Sequence, residues 1–218
     1  MLRDNKLFAK ASKCEFFKTS VTFLGYVVSR KGPSVEPSKV TRVLDWPLPL
    51  HTLRDLRAFL GLTSYYRKFI PNYAQIAEPL YKLLNKQAAL VWNADTQKAA
   101  EVLKECLTTA PVLALPNTDQ PFIVACDASN EAIGAVLYQV INGVERPCAY
   151  LSKKLTTAER NYPTHERELL SVIYAIEMWQ PYLLIQQFTV FTDHLPLRFL
   201  LTQPNLNGRM LRLSLIHI

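Results

Sequence analysis

Beyond Pro121 the hydrophobic pattern of this sequence turns to the alternating period of strands, and the order of elements there restricts the fold more than any other feature. PFIVACDAS predicts a strand ending at Asp127, and AIGAVLYQV (132–140) a second. Asn142-Gly143 is a strong hairpin signal, since both residues tolerate positive φ, and it leads into a third strand, VERPCAYLS (144–152). Thr156 and Glu159 form a T-x-x-E capping box. A helix is expected over roughly 164–179, burying Leu169, Val172, Ile173 and Ile176. FTVFTD (188–193) is a fourth strand, ending in Asp193. The order β-β-β-α-β is that of a mixed α/β sheet domain.

Upstream the periodicity is mostly helical. Residues 16–29 (FFKTSVTFLGYVVS) read as a hairpin or strand pair, ended by the turn signal Lys31-Gly32-Pro33. Ser38 is expected to cap a short helix, KVTRVLDW, which Pro47 and Pro49 stop. Thr52 opens a longer helix through Ile70, with Asp55 as a weaker capping partner. Its apolar stripe is Leu53, Leu56, Phe59, Leu60, Tyr66, Phe69 and Ile70, leaving Arg54, Arg57, Arg67 and Lys68 largely off it. Residues 73–93 suggest a short helix and connector, and about 95–109 another helix. The period changes near 110–118, where a domain boundary is placed.

Charge is unevenly spread. The chain of 218 residues has 25 basic and 18 acidic side chains, 25 − 18 = +7. Residues 1–72 hold 13 basic and 5 acidic residues, a net of +8, against 12 and 13, a net of −1, in residues 73–218. A polyanionic partner for the first third is one reading, and a solvated lysine-rich face the other. About half the composition is apolar, which excludes a disordered chain. No stretch has the ~18–20 uncharged apolar residues of a membrane span, and the first residues lack the apolar core of a secretory signal. Cys14, Cys106, Cys126 and Cys148 form no C-x-x-C, so a disulfide frame or thiolate zinc site is not expected and a reducing compartment fits.

Asp127 and Asp193 hold matching positions at strand ends. If those strands are parallel neighbours, their ends lie about 4.8 Å apart and both carboxylates enter one crevice. Glu168 precedes Val172, Ala175 and Trp179 by 4, 7 and 11 residues, which puts it on the sheet-facing side of its helix. Three such acids repel one another unless cations lie between them, and a carboxylate-only set favours Mg²⁺ or Mn²⁺. Each residue singly also suits a structural role, as a turn former or as a partner of the helix macrodipole.

FLGYVVS, LRAFLGLTSYYRKFIP, APVLALP, CDASNEAIGAVLYQ, AYLSKKLTTAERNY, HERELLSVIYAIE and FTDHLPLRFL together resemble the polyproteins of gypsy-type LTR retrotransposons, over about residues 5–212. The resemblance implies an α/β chain: a mostly helical thumb/connection region, then a ribonuclease H-like mixed-sheet domain truncated at its C-terminus. Residues 1–36 correspond to the end of the reverse-transcriptase palm with a primer-grip-like hairpin. Residues 37–116 correspond to the thumb and connection, and 117–212 to an incomplete ribonuclease H-like domain; the match fails over 213–218, an unreliable tail.

The same resemblance makes Asp127, Glu168 and Asp193 catalytic, metal-binding carboxylates. It makes Phe23, Leu24, Gly25 and Tyr26 the primer-grip hairpin, and the helix bearing Arg54, Arg57, Arg67 and Lys68 a surface that tracks duplex. His194 is a candidate proton carrier or turn residue. The chain has no Asp-Asp pair, so the Y-x-D-D polymerase hairpin is missing. The family's fourth carboxylate is missing too, since the chain stops 25 residues after Asp193 (193 + 25 = 218).

The implied activity is Mg²⁺-dependent (or Mn²⁺-dependent) hydrolysis of the RNA strand of an RNA–DNA hybrid, weak or absent in this chain by itself. The implied setting is a larger intracellular polyprotein, in cytoplasm or nucleus, that binds hybrid or primer-template duplex. The alternative is a catalytically dead remnant that still binds nucleic acid. Ser129 and Asn130 read as the turn after the first strand. Glu166 reads as solvated, and Tyr65, Tyr66 and Tyr73 as core.

Overall fold

Strands β1 (Ser20–Phe23), β2 (Tyr26–Ser29) and β3 (Gly32–Val35) form an antiparallel sheet in that order in the computed structural model, which describes residues 3–10, 12, 14–85 and 90–193. Leu24 (φ 48°) and Gly25 (φ 75°) make the two-residue β1–β2 turn, whose positive φ values match the twist of a hairpin. The third strand corrects the expectation that Lys31-Gly32-Pro33 ends this unit. Pro33 lacks an amide, but β3 is an edge strand, where proline is tolerated. Its outward carbonyl accepts the Leu113 amide at 3.0 Å.

Helix α1 (Pro37–Leu44) starts one residue before the expected cap. Glu36 takes the N-cap position with Pro37 just inside, where its fixed φ suits the first turn. Ser38 instead donates to Glu36 Oε1 at 2.5 Å. Helix α2 (Leu53–Tyr65) is capped by Thr52, whose side chain accepts the Asp55 amide at 3.1 Å. It ends at Tyr65 rather than Ile70, and the chain continues in a 3₁₀ turn, Arg67–Phe69. Helices α3 (Tyr73–Ile76) and α4 (Glu78–Lys82) are short, and α5 (Ala94–Thr108) opens on an Asn93–Thr96 capping box. Leu56, Phe59, Tyr66, Phe69, Leu80 and Leu103 fill the core between these helices.

The second sheet has strands β4 (Phe122–Ala128), β5 (Ala132–Ile141), β6 (Val144–Lys154) and β7 (Phe188–Phe191), in spatial order β6-β5-β4-β7. Asn142 (φ 54°) and Gly143 (φ 76°) make the expected β5–β6 turn. The β4–β5 and β5–β6 pairs are antiparallel, and β4–β7 is parallel. Between β6 and β7 lie α6 (Thr157–Arg160), which opens on the Thr156–Glu159 capping box, and α7 (Thr164–Leu183). Phe122, Val124, Cys126 and Leu137 meet Ala175, Trp179 and Leu183 of α7 on one face of the sheet.

The other face is covered by the helical region. A β-bulge at Cys148, between the Leu137–Ala149 and Tyr138–Pro147 pairs, turns Tyr150 and Ser152 towards it. Tyr150 packs against the first core. The Arg67 guanidinium donates to the Ser152 carbonyl, and the Ala74 amide donates to Ser152 Oγ at 2.9 Å. The link between α5 and β4 joins the two sheets, because Leu113 bonds Pro33 and the Ala114 amide donates to the Pro147 carbonyl at 2.7 Å. Among the described residues, no helix is long and apolar enough to cross a membrane.

Candidate active site and nucleic-acid interface

Strands β4 and β7 pair in parallel with a constant offset, Ala125 opposite Phe191 (191 − 125 = 66). The strand expected to run to Asp193 stops at Phe191, so the ladder ends there; Asp127 and Asp193 each lie two residues beyond that last pair, Asp127 still within β4 and Asp193 in a bend after β7. Both aspartates are exposed. Glu168, one turn into α7, is only 3 % exposed. Its Oε1 accepts the Ala128 amide at 3.2 Å, while its Oε2 is buried without a hydrogen-bond partner. Burial, followed by the charges of Asp193 and Asp127, pushes the Glu168 carboxyl up to about 7, against the opposing pull of the Ala128 amide and Arg167. The structure thus brings all three carboxylates into one electrostatic neighbourhood.

They do not form a ready-made cage. Among the described residues no group of three or more His, Cys, Asp or Glu is arranged to hold a metal ion. The pleat supplies the reason. Asp127 is paired with Gly134 and shares its sheet face, beside Asn72, whereas Glu168 rises from α7 on the opposite face. Asp127 and Glu168 therefore reach the end of β4 from opposite faces of the sheet. The donor set still suits a hard divalent cation, because an orphaned carboxylate oxygen lies near two further carboxylates.

A groove of about 210 Å³ runs along the Asp127 side, lined by Pro71, Asn72, Ala125, Gly134, Val136 and Tyr150 among others. Ser129 forms the turn after β4: its Oγ accepts the Ala132 amide at 3.0 Å, and its own amide donates to the Ala132 carbonyl at 2.8 Å. Asn130 Oδ1 accepts from Arg167 at 2.6 Å. Glu166, expected to be solvated, is 2 % exposed. The first turn of α7 sinks against the sheet end, and its acidic side chain goes with it. His194 lies outside the described residues. Cys126, beneath the site, has its thiol pushed up to about 12 by burial and by the Glu168 charge, despite a hydrogen bond with Ser171, and so is not a reactive nucleophile.

The proposed duplex-facing residues divide into two sets. Phe23 and Leu24 stand exposed at the hairpin tip, and Arg54 and Arg57 are exposed on α2. Gly25 and Tyr26 are occupied within the protein. The Gly25 carbonyl accepts Tyr66 Oη at 2.7 Å, and Tyr26 stacks on Tyr65 with centroids 5.2 Å apart. Tyr65 also donates to the Leu24 carbonyl, so the tyrosines expected in the core pin the hairpin to α2. Tyr66 and Tyr73 are buried. Arg67 is bonded to Ser152, and Lys68 Nζ sits 3.8 Å over the Tyr26 ring. Burial holds the Lys68 amine below its usual range. Sequence reasoning missed Arg167 and Asn72. Their one visible signal was adjacency, to Glu168 and to the end of the basic helix.

The fold and a family match over residues 92–190 define a class, the RNase H-like domain found in reverse transcriptase. More particularly, the chain belongs with the Pol polyproteins of gypsy-type LTR retrotransposons. It is 43% identical over 204 residues to the retrovirus-related Pol polyprotein from transposon 297 of Drosophila melanogaster, covering 91% of this chain and 18% of that protein. It is 36% identical over 196 residues to the transposon Tf2-3 polyprotein of Schizosaccharomyces pombe, covering 88% of this chain and 15% of that one. The chain therefore spans about a fifth or less of these relatives' length. The fold is shared with a foamy viral protease-reverse transcriptase solved with an RNA/DNA hybrid (TM-score 0.74, 24% identity, 94% of this chain and 29% of that one). The same kind of protein solved with dsDNA gives a TM-score of 0.75 at 23% identity, covering 92% and 43%.

Proposed function

We propose that the β4, β7 and α7 ends form a divalent-metal-dependent nuclease site for the RNA strand of RNA–DNA hybrids, fed by a duplex held on the basic N-terminal third. The observation that carries this reading is Glu168: a buried carboxylate with one oxygen lacking a partner, near enough to Asp127 on β4 and Asp193 just after β7 to feel both charges. Asp127, Glu168 and Asp193 would hold Mg²⁺ or Mn²⁺. Such ions, when bound, activate a water and stabilise the leaving 3′-oxygen.

The protein's own part is positional. The Ala128 amide holds Glu168 Oε1 and leaves Oε2 buried without a partner. The exposed aspartates offer oxygens on the side from which a phosphodiester backbone can approach. Hybrid would be selected by groove shape and 2′-hydroxyls rather than by base sequence. The likeness to a reverse transcriptase solved with an RNA/DNA hybrid supports the choice of substrate. Because the sequence has no Asp-Asp pair, nucleotide incorporation by this chain is not expected.

The competing reading, a nucleic-acid-binding remnant without activity, is favoured by the lack of a ready metal cage among the described residues. Cleavage of an end-labelled RNA–DNA hybrid, with Mg²⁺ or Mn²⁺ and with EDTA, separates the two. Metal-dependent cutting of the RNA strand that Asp127→Asn abolishes supports the nuclease. A folded chain that binds hybrid and cuts nothing with either metal supports the remnant.

A further inference from the structure

Arg167 immediately precedes Glu168 on α7 and is only 8 % exposed. Its guanidinium donates from Nη1 to the Ser129 carbonyl at 3.1 Å and to Asn130 Oδ1 at 2.6 Å, and from Nη2 to Thr164 Oγ1 at 3.2 Å. All three acceptors are neutral, although the residue stands among carboxylates. A buried cation beside carboxylates ordinarily pairs with one of them. Here the guanidinium leaves Glu168 Oε2 free.

The contacts form a pattern. Glu168 grips Ala128, and Arg167 grips Ser129 and Asn130, so two consecutive α7 residues hold three consecutive residues at the end of β4. Asp127 comes just before those three. The turn they enter is itself closed by Ser129 on Ala132. Thr164, the third acceptor, begins α7. A rigid planar fork therefore joins the first turn of the helix to the strand end, which a lysine's single flexible ammonium cannot reproduce.

We propose that Arg167 is a positioning residue of the nuclease site: it sets the separation and orientation of Asp127 on β4 and Glu168 on α7, so that both carboxylates can close on one cation. The proposal rests on the nuclease reading above. It needs a clamp of this kind because the two carboxylates start from opposite faces of the sheet.

The test uses the whole chain carrying Arg167→Met, Arg167→Lys or Asn130→Ala, with Leu103→Ala in the distant first core as a control of lowered stability. Three quantities are read: exchange of the Ala128 amide in metal-free protein by NMR, Mn²⁺ affinity by EPR, and hybrid cleavage. Arg167→Met should speed Ala128 exchange and weaken Mn²⁺ binding about 10–100-fold, the usual cost of losing a group that orients a metal ligand. Arg167→Lys should recover part of this. Asn130→Ala should act in the same direction, more weakly, and non-additively with Arg167→Met. Leu103→Ala should lower the melting temperature yet keep the wild-type Mn²⁺ affinity.

The proposal is overturned if folded Arg167→Met keeps wild-type Ala128 protection and Mn²⁺ affinity. It is also overturned if Leu103→Ala, at equal loss of stability, weakens Mn²⁺ as much. Should Arg167→Met fail to fold, Arg167→Lys and Asn130→Ala carry the same comparison. If the wild-type chain neither binds Mn²⁺ nor cuts hybrid, the nuclease reading fails by itself. Ala128 exchange then decides the clamp alone: faster exchange in the variants upholds it, and unchanged exchange removes it.

Discussion

The hydroxyl of Ser152 on β6 accepts the main-chain amide of Ala74 on α3 at 2.9 Å, across 78 residues of sequence. Ser152 is 2 % exposed and also takes the Arg67 guanidinium on its carbonyl. One residue thus ties the helical region to the sheet through both its side chain and its main chain. Ser152→Ala strands a buried amide and should cost about 1–3 kcal/mol in urea unfolding. A change below ~0.5 kcal/mol would mean that the joint is held by apolar contact alone.

Gly32 opens β3 with φ +124°, and a Cβ there would overlap the Leu113 carbonyl oxygen. Backbone cannot move aside as a side-chain tip can, and an alanine resists that φ. Gly32→Ala should therefore part β3 from the segment that leads into the second sheet, at a cost of about 1–3 kcal/mol for the backbone strain alone. The check is the melting temperature together with amide exchange at Leu113. A protected Leu113 amide in the variant would contradict it.

Local signals account for what was legible in the sequence. The Asn142-Gly143 turn, the capping boxes and the alternation of β4 and β5 all operate within a few residues, and the structure follows them. The parallel pairing of β4 with β7 was readable because the two segments carry the same pattern, although β7 stops two residues short of Asp193. The cover on the second face of the sheet was not. Gly134 and Ser152 look like unremarked small residues, yet an added Cβ on Gly134 would lie 2.5 Å from Asn72 Oδ1. Arg67 and Lys68 carried the signature of solvated cations. Their actual partners, Ser152 and Tyr26, lie tens of residues away, where periodicity has nothing to say. The same holds for Glu166, whose burial comes from how α7 meets the sheet end.

Glu168 gives the metal-free protein a pH dependence of definite sign. Its carboxyl is raised from the ordinary 4.5 to about 7 by burial first, then by Asp193 and Asp127. Between those values the folded chain holds a proton that the unfolded chain has released, so stability is lost as pH rises through that window. The loss is at most about 3 kcal/mol. Urea unfolding in EDTA at pH 5 and pH 8 should show it, and Glu168→Gln should flatten it. Divalent-cation binding should release protons near pH 6 and few at pH 8.5. A Glu168→Gln variant with the wild-type slope would place the titration on another group.

Arg54 and Arg57 are exposed on α2, while Arg67 and Lys68, further along the same stretch, are spent on Ser152 and Tyr26. Arg67 stays exposed while bonded to Ser152 and Lys68 is half-buried, so the cations least engaged within the protein are those of the first half of the basic helix. If duplex lies there, the affinity for an RNA–DNA hybrid should fall with salt. Arg54→Glu with Arg57→Glu should weaken binding and lower the slope of log K against log salt by about 2, since each lost phosphate contact removes roughly one counterion's worth. Lys68→Met should act differently. It removes a cation from the Tyr26 ring, worth about 0.5–2 kcal/mol of stability, and should leave the salt slope alone. Phe23→Ala at the exposed hairpin tip should weaken binding with no change in slope, because it contributes surface and not charge. A flat salt dependence of the wild-type chain would remove the phosphate-binding role from this third of the sequence. A slope unchanged by the double reversal would move the footprint to other cations.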